Sequence, residues 1–425
     1  MKRLDKEKQR IYAYARKVKK RFSKRDPDSE PIDFSSPSIP YNSELSERFS
    51  AARMLIYIVL FVFLLGTIIF GSEMITYSNL YYLVKDINAA AVDGRDAADY
   101  LSYPTSGGEQ SYALYRDGLV VVGGNEITVL SASGKQTLSD NVAYSEPCVR
   151  SADRYFLAFG RGEKSFAVYN SFVRIFAEVL EYPVYEAAVS DSGAFAVVTR
   201  SREYKSEVNV YDADMQKITS YRTAGYVTAV SHHDGGDRMV MATVDSEGEE
   251  SGTRMIFFKP GADEPEAEIT LGNEMVYRCS FMGNSRIAVI SDQGMTVYDF
   301  DGDVVESTDY SSNPPLLFDL ADSNIALLES GEESGVYYVK VFDRNGKELY
   351  SKELLSDSPP EQLRLAGTDA YILTESGVHC VTRRGDNTIL ALPDDEVECL
   401  LARRSGNILA CTMTYATGLH ESDQE

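Results

Sequence analysis

The sequence predicts an all-β domain of repeated strands joined to one membrane-spanning helix. Two observations predict this organisation. A pattern of apolar strands recurs roughly every 42 residues after residue 110. A single uncharged apolar segment lies near the N-terminus. The repeated region alternates short strands with Gly, Asp, Asn and Ser turns and has no long segment with a helical period. The repeats therefore set the fold class, and the apolar segment sets the location.

Seven segments share a pattern of alternating apolar residues, often closed by an aromatic residue and Asp. Their first residues are 39, 42, 47, 40, 44 and 39 positions apart. They begin at Ile127, Phe166, Val208, Met255, Met295, Val339 and Val378. A period of about 40–45 residues is typical of four-stranded propeller blades. The sequence therefore predicts a β-propeller.

The residues around each segment complete a blade. Another apolar strand comes before the segment, and a turn such as Asp301-Gly302 or Asn345-Gly346 leads to an outer strand. Both dipeptides supply the positive φ of a tight hairpin. An eighth pair of strands lies near residues 398–402 and 407–412, and we expect a strand near Tyr100 to complete its blade. We predict eight blades, with seven as the alternative.

The uncharged segment spans residues 54–71, and 13 of its 18 residues are Leu, Ile, Phe or Val. As a helix it would be about 27 Å long, which matches the hydrocarbon core of a bilayer. Residues 1–53 carry 14 Lys and Arg against 8 Asp and Glu, whereas the part after the segment carries 28 against 57. Positive residues favour the cytoplasmic side. We predict an uncleaved, single-pass plasma-membrane anchor with the N-terminus inside and the C-terminal domain outside.

The sequence divides into five parts on this interpretation. These are a basic cytoplasmic tail (1–25), a flexible linker (26–53), the transmembrane helix (54–72), an extracytoplasmic helical stalk and linker (73–106) and the propeller (107–425). The tail is expected either to contact anionic lipid or to be a solvated segment that sets topology.

Two resemblances support the architecture. The Val-x-Val-Tyr-Asp strand that follows the Ser190-Asp-Ser-Gly193 turn resembles WD-repeat propellers, although the chain has no Trp. The tail, the anchor, the stalk sequence 77–88 and the repeats resemble an uncharacterised family of single-pass, membrane-anchored propellers from Gram-positive anaerobic bacteria. That family has no established activity, so the resemblance implies architecture alone.

No pattern nominates a catalytic residue, a cofactor or a metal site. The spacing of Asp299, Asp301 and Asp303 is like that of a calcium loop, but the Gly and Glu positions of such a loop do not match, and a hairpin turn is favoured. His232 and His233 are adjacent on a strand, which sends their side chains to opposite faces. The odd count of five cysteines favours buried thiols over a disulfide framework.

The loops between second and third strands vary most and, in a propeller, emerge on one face. They nominate a binding rim that is mainly acidic and consists of Arg202, Tyr204, Glu247, Glu249, Glu250, Glu332 and Glu333. Plain solubilising loops are the alternative interpretation. The acidic balance outside the anchor argues against nucleic-acid binding.

The function expected from these features is non-catalytic. We expect a membrane-anchored recognition or scaffold module in a cell-envelope assembly, with a protein or polymer partner on a propeller face. The alternatives are an envelope hydrolase or lyase with acids at the channel, and a transmembrane sensor.

Overall fold

The structure is a computed structural model that describes residues 57, 98–105, 108–245, 252–283, 285–310, 314–321, 323–385, 387–403 and 406–419. The chain divides into two compact units, Met1–Val84 and Lys85–Glu425. The predicted tail, linker and transmembrane helix lie outside the described residues except for Tyr57, as does the stalk up to residue 97. Within the residues that are described, no helix is long and apolar enough to cross a membrane.

The second unit is built from eight antiparallel sheets of four strands each. The first described strand, β1 (Tyr100–Ser102), belongs to the last sheet. Blades 1 to 4 follow in chain order: β2 (Ser111–Tyr115), β3 (Gly118–Val122), β4 (Glu126–Leu130), β5 (Gln136–Asn141); β6 (Pro147–Ser151), β7 (Phe156–Gly160), β8 (Ser165–Tyr169), β9 (Arg174–Val179); β10 (Val184–Val189), β11 (Phe195–Thr199), β12 (Ser206–Tyr211), β13 (Lys217–Thr223); β14 (Tyr226–His232), β15 (Met239–Asp245), β16 (Gly252–Phe258), β17 (Ala267–Gly272).

Blades 5 to 8 have the same strand order. They are β18 (Val276–Met282), β19 (Arg286–Ser291), β20 (Gly294–Tyr298), β21 (Val304–Asp309); β22 (Leu317–Leu320), β23 (Asn324–Ser330), β24 (Val336–Asp343), β25 (Glu348–Leu355); β26 (Gln362–Ala366), β27 (Asp369–Thr374), β28 (Gly377–Val381), β29 (Asn387–Leu390); and β30 (Cys399–Ala402), β31 (Ile408–Cys411), β32 (Tyr415–Leu419) with β1. The prediction of an all-β propeller with eight blades is confirmed, and the seven-blade alternative is wrong.

The first strand of each blade lies innermost. Neighbouring first strands pack against one another around the ring, as β2 does on β6, β14 on β18 and β26 on β30. Because the strands of a blade are antiparallel, the loops between second and third strands share a face with the beginnings of the first strands. We call this the loop face. The opposite face carries the turns between first and second strands and is called the turn face.

The repeated segments of the sequence are the third strands of the blades, and their terminal Asp residues build the turns that follow. The Asp299 Oδ1 atom accepts hydrogen bonds from the backbone N–H groups of Asp301 and Asp303, both at 3.0 Å. Asp343 and Asp212 make the same pair of bonds in their own blades. The carboxylate thus replaces backbone partners at the turn, which is why Asp recurs there. The interpretation of Asp299 as a turn residue agrees with these bonds.

Strand β1 closes the ring. It pairs with β32 in the register Leu101↔Ala416, so the last blade takes its outer strand from the beginning of the described chain. The Leu101 side chain has 0% exposure and lies in one apolar cluster with Leu119 of blade 1 and Leu409 of blade 8. This strand precedes residue 107, the predicted start of the propeller, and lies where the sequence led us to expect the strand that completes the eighth blade.

The side chain of Tyr103 secures the same closure. Its hydroxyl lies 2.7 Å from the Thr412 carbonyl oxygen and 2.8 Å from that of Tyr415. The ring is 4% exposed. Burial raises the pKa of this phenol above its usual range, so it stays protonated and remains a donor.

Truncating the central side chain of β1 should weaken the whole propeller. We expect Leu101→Ala to lower the free energy of unfolding by about 2–4 kcal/mol, because it leaves a cavity between blades 1 and 8. Ser102→Ala is the matched control, since the Ser102 side chain is exposed and should change stability by less than about 0.5 kcal/mol. Denaturant unfolding followed by near-ultraviolet circular dichroism measures both. Equal stability of the two variants would contradict closure by β1.

Candidate functional site: the central channel and the loop face

The first strands enclose a central channel with a cavity volume of about 930 Å³. Residues from the first strands of all eight blades, and from the turns that follow them, line it. Cavities of roughly 300–1,000 Å³ are typical of small-molecule sites. The channel is therefore large enough to hold a ligand.

The first strands contribute five charged side chains to the channel wall. They are Arg150, Glu186, Arg278, Asp319 and Arg364, from blades 2, 3, 5, 6 and 7. Among these five, three guanidinium groups face two carboxylates, and further charged residues line the channel from the turns after the first strands.

Two of the three arginines have partners in the channel wall. The Arg150 guanidinium donates two parallel hydrogen bonds to the Glu186 carboxylate, Nε to Oε1 and Nη2 to Oε2, both 2.8 Å long. Arg364 donates to the carbonyl oxygens of Leu400 at 2.9 Å and Leu363 at 3.0 Å, and its Nη1 lies 3.9 Å from Asp319 Oδ1. These contacts neutralise both carboxylates of the wall.

Arg278 differs from the other two. Among the described residues it donates no hydrogen bond and forms no ion pair. Its side chain is accessible to solvent inside the channel although the wall surrounds it. This confinement, and the charge of Arg150, lower the pKa of Arg278, while Asp319 and Glu186 oppose the shift.

The carboxylates do not form a catalytic pair in the wall. Glu186 is bonded to Arg150, and Asp319 accepts the backbone N–H of Leu365 at 2.9 Å beside Arg364. Burial raises the pKa of Asp319, and the nearby Arg364 and Arg278 lower it. In the described part of the chain, no group of three or more His, Cys, Asp or Glu side chains is placed to hold a metal ion.

His232 lies in the channel wall near the turn face. It is 6% exposed, and neither ring nitrogen has a hydrogen-bond partner. Burial lowers its pKa to about 4, so the imidazole is neutral at pH 7. Its neighbour His233 points elsewhere, with Nδ1 lying 2.6 Å from Asp237 Oδ1. The two histidines do not converge on one site.

The loop face carries a group of tyrosines and cations that we call the aromatic arc. It consists of Tyr185, Arg200, Tyr204, Lys205, Tyr226 and Tyr277, from blades 3 to 5. The Arg200 guanidinium lies 5.5 Å from the ring centre of Tyr185 and 5.8 Å from that of Tyr226. The Lys205 ammonium lies 5.4 Å from Tyr226. These cation–π contacts join blade 3 to blade 4 and hold the rings in place.

The rings of the arc remain available to a partner. The exposed fractions are 38% for Tyr185, 40% for Tyr204, 43% for Tyr226 and 47% for Tyr277. Tyr277 stacks on Phe318 of blade 6 with ring centroids 6.5 Å apart. Lys205 also pairs with Asp245 at 3.5 Å. The result is a fixed, half-exposed aromatic surface.

The structure places the described members of the predicted rim on this face. Arg202 and Tyr204 lie in the loop between β11 and β12, next to the arc, and Glu332 and Glu333 lie in the loop between β23 and β24. All four are exposed. Glu247, Glu249 and Glu250 lie outside the described residues.

Neither the members of the arc other than Tyr204 nor the charged side chains of the channel were predicted from the sequence. A signal for the arc was present, because Tyr185, Tyr226 and Tyr277 each lie in the first residues of a blade or directly before them. The channel charges interrupt the apolar pattern of the first strands, and only the ring shows that they face one another.

Comparisons with known proteins support this fold. A model of a family of unknown function, DUF5711, matches residues 100–413, so the chain belongs to that family. No curated protein matches the chain.

Solved structures similar to the chain include a WD40 domain. The C-terminal WD40 domain of Sif2 has a TM-score of 0.53 at 9% identity, covering 76% of this chain and 99% of that domain. BamB from Moraxella catarrhalis has a TM-score of 0.49 at 13% identity, covering 78% and 98%. Hsv2 from Kluyvelomyces marxianus has a TM-score of 0.45 at 11% identity, covering 67% and 93%. At these identities the likeness to the Sif2 domain shows the fold alone.

The neutral His232 should make stability fall with acidification. Its pKa is about 4 when folded and 6.5 when exposed, so the unfolded chain binds a proton first as the pH falls below 6.5. The neutral imidazole of His232 contributes to the free energy of unfolding above pH 6.5. This contribution, roughly 3 kcal/mol, is lost as the pH falls towards 4. We expect His232→Met to reduce the pH dependence of the unfolding free energy by that amount. Identical pH dependence in both proteins would contradict the buried, neutral state.

Proposed function

We propose that this member of the DUF5711 family is a membrane-anchored, extracytoplasmic recognition module whose loop face binds an envelope protein. The observation that carries the proposal is the aromatic arc, in which Arg200 and Lys205 hold Tyr185 and Tyr226 while leaving the rings half exposed. Tyr and Arg are enriched where proteins bind one another.

The rigidity of the arc supports a binding role. A tyrosine that is already fixed by a neighbouring cation loses little conformational entropy when a partner covers it. The contacts of Arg200 with Tyr185 and Tyr226, and of Lys205 with Tyr226, join these four side chains across blades 3 and 4 into one surface. The two carboxylates of the first strands, Glu186 and Asp319, each lie beside an arginine, which does not favour a hydrolase that would use them as an acid–base pair.

The charges on the loop face suggest what the partner presents. The loop of blade 3 carries three cations, Arg200, Arg202 and Lys205, against one acid, Glu203, whereas the exposed Glu332 and Glu333 make the loop of blade 6 acidic. A partner with an acidic, aromatic patch beside a basic patch would match both, and opposite charges give orientation and speed of encounter. We assign the arc as the binding centre and the two acidic residues as part of its rim.

The membrane location rests on the sequence. Residues 54–72 supply a segment of bilayer length, and the positive charge of residues 1–25 favours a cytoplasmic N-terminus and contact with anionic lipid. A propeller outside the membrane would then meet its partner in the envelope.

Site-specific photocrosslinking in living cells tests the binding face. A benzophenone amino acid replaces Tyr226 or Tyr204 on the loop face, or Ile218 as the control. Ile218 is 42% exposed, close to the 43% of Tyr226, and lies at the turn-face end of β13. We expect one adduct of the same mass from both loop-face positions and none from the control, because only the loop face is covered.

Two substitutions refine that test. Arg200→Gln should reduce the yield of the Tyr204 adduct several-fold, since it frees two rings of the arc, whereas Arg254→Gln should not, since that arginine pairs with Glu268 on the third strand of blade 4. Adducts of equal yield from Ile218, or none from any position, would contradict the proposal. An adduct with a polymer in place of a protein would change the partner class and overturn the protein assignment.

The anchor has its own test. Deleting residues 54–72 should move the protein from the membrane fraction to the soluble fraction, because no other segment of that length lacks charge. Fractionation with immunodetection measures the change. A protein that stays in the membrane fraction after high-salt washing would contradict a single anchor.

A further inference from the structure

We propose that the central channel binds a small oxyanion, such as a carboxylate or phosphate group, through the guanidinium of Arg278. This site goes beyond the recognition role proposed for the loop face and does not depend on it.

Among the guanidinium groups that the first strands place in the channel, Arg278 differs in having no bonded partner. Arg150 is bonded to Glu186, and Arg364 is bonded to two backbone carbonyl oxygens and lies near Asp319. Arg278 has no such contacts among the described residues. Its side chain is exposed to the solvent of the channel, so its N–H donors can reach an anion from solution, which would supply both a counter-charge and hydrogen bonds.

The surroundings of Arg278 act on its charge in both directions. Enclosure in the channel and the charges of Arg150 and Arg364 lower the pKa of Arg278, whereas the charges of Asp319 and Glu186 raise it. A negatively charged ligand beside Arg278 would add an opposite charge and favour the charged state. A guanidinium presents a planar fork of N–H donors, which fits the paired oxygen atoms of carboxylate and phosphate groups.

A second guanidinium lines the turn-face end of the same channel. Arg403 is 1% exposed, and its Nε and Nη2 atoms have no hydrogen-bond partner among the described residues. Within that part of the chain its Nη1 donates to the Ala98 carbonyl oxygen at 3.2 Å, and the charges of Asp117 and Asp99 favour its charged state. Arg403 therefore has nearby carboxylates, unlike an anion-binding group, and Arg278 remains the candidate.

The position of Arg278 suggests how the ligand enters. Arg278 is the third residue of β18, next to Tyr277 of the aromatic arc, so it lies towards the loop face. Four aspartates and two arginines line the turn-face end of the channel: Asp117, Asp153, Asp191, Asp234, Arg116 and Arg403. The net negative charge of this end disfavours an anion, so the loop-face opening is the favourable entrance. The cavity of about 930 Å³ admits a small solute at this end.

Isothermal titration calorimetry tests the site. The full-length protein in a mild detergent and a chloride buffer is titrated with inorganic phosphate and, separately, with acetate. We expect saturable one-to-one binding of at least one of them. Binding of phosphate alone or of acetate alone supports the site and identifies its group, and binding of both supports the shared oxyanion chemistry.

Variants connect the binding to Arg278. Arg278→Gln should raise the Kd at least tenfold, because it removes the charge and the fork together. Arg254→Gln, on the outer part of blade 4, should leave the Kd unchanged. The ligand-free Arg278→Gln protein should melt at the wild-type temperature or above it, since it loses an uncompensated charge. A purely structural arginine would lower that temperature.

The proposal is overturned if the wild type binds neither anion, or if Arg278→Gln binds within twofold of the wild type. If the glutamine variant does not fold, Arg278→Lys decides in its place, because it keeps the charge but loses the fork. A Kd raised severalfold in the lysine variant supports the site. An unchanged Kd overturns the assignment to Arg278.

Discussion

The pairing of β1 with β32 is the constraint on which the rest of the structure depends. Each blade of a ring buries both faces against its neighbours, so one open joint would expose two apolar surfaces at once. The joint is small, three residues of ladder, but Leu101 and Tyr103 fill the space between blades 8 and 1. The closed ring in turn defines the channel and brings the first strands of distant blades together. The central channel, lined by all eight first strands, exists only because the ring is closed.

The sequence was sufficient to predict the parts of the fold that are set by residues close to one another in the chain. The third strands recur with their terminal Asp because each Asp caps its own turn, as Asp299 does. The eighth blade was predictable because its inner strands lacked a partner within the remaining chain. The first strands were harder to recognise. They face the channel, so charged residues such as Arg150 and Glu186 interrupt the apolar alternation by which strands are found.

The candidate sites likewise have features that the sequence predicts and features that only the contacts between blades determine. That Arg202, Tyr204, Glu332 and Glu333 share a face follows from strand direction, which the repeat pattern already implied. The contacts of Arg200 with Tyr226 join neighbouring blades, and no local pattern reports them. The state of Arg278 is harder still to foresee, since a missing partner becomes visible only when every neighbour is in place. In a chain with a formal net charge of −23, an arginine without a carboxylate is a feature of three-dimensional placement, not of composition.

Hydrogen–deuterium exchange of the full-length protein, resolved by peptide mass spectrometry, tests ring closure most directly. A closed ring predicts that the amides of residues 100–103 and 415–419 are protected together and exchange at the rate of the inner strands, because they open only when the propeller opens. The contrary result is fast exchange of residues 100–103, at the rate of an unstructured peptide, while the other blades stay protected. That outcome would mean that the ring is held by other contacts and that β1 is not its closing strand.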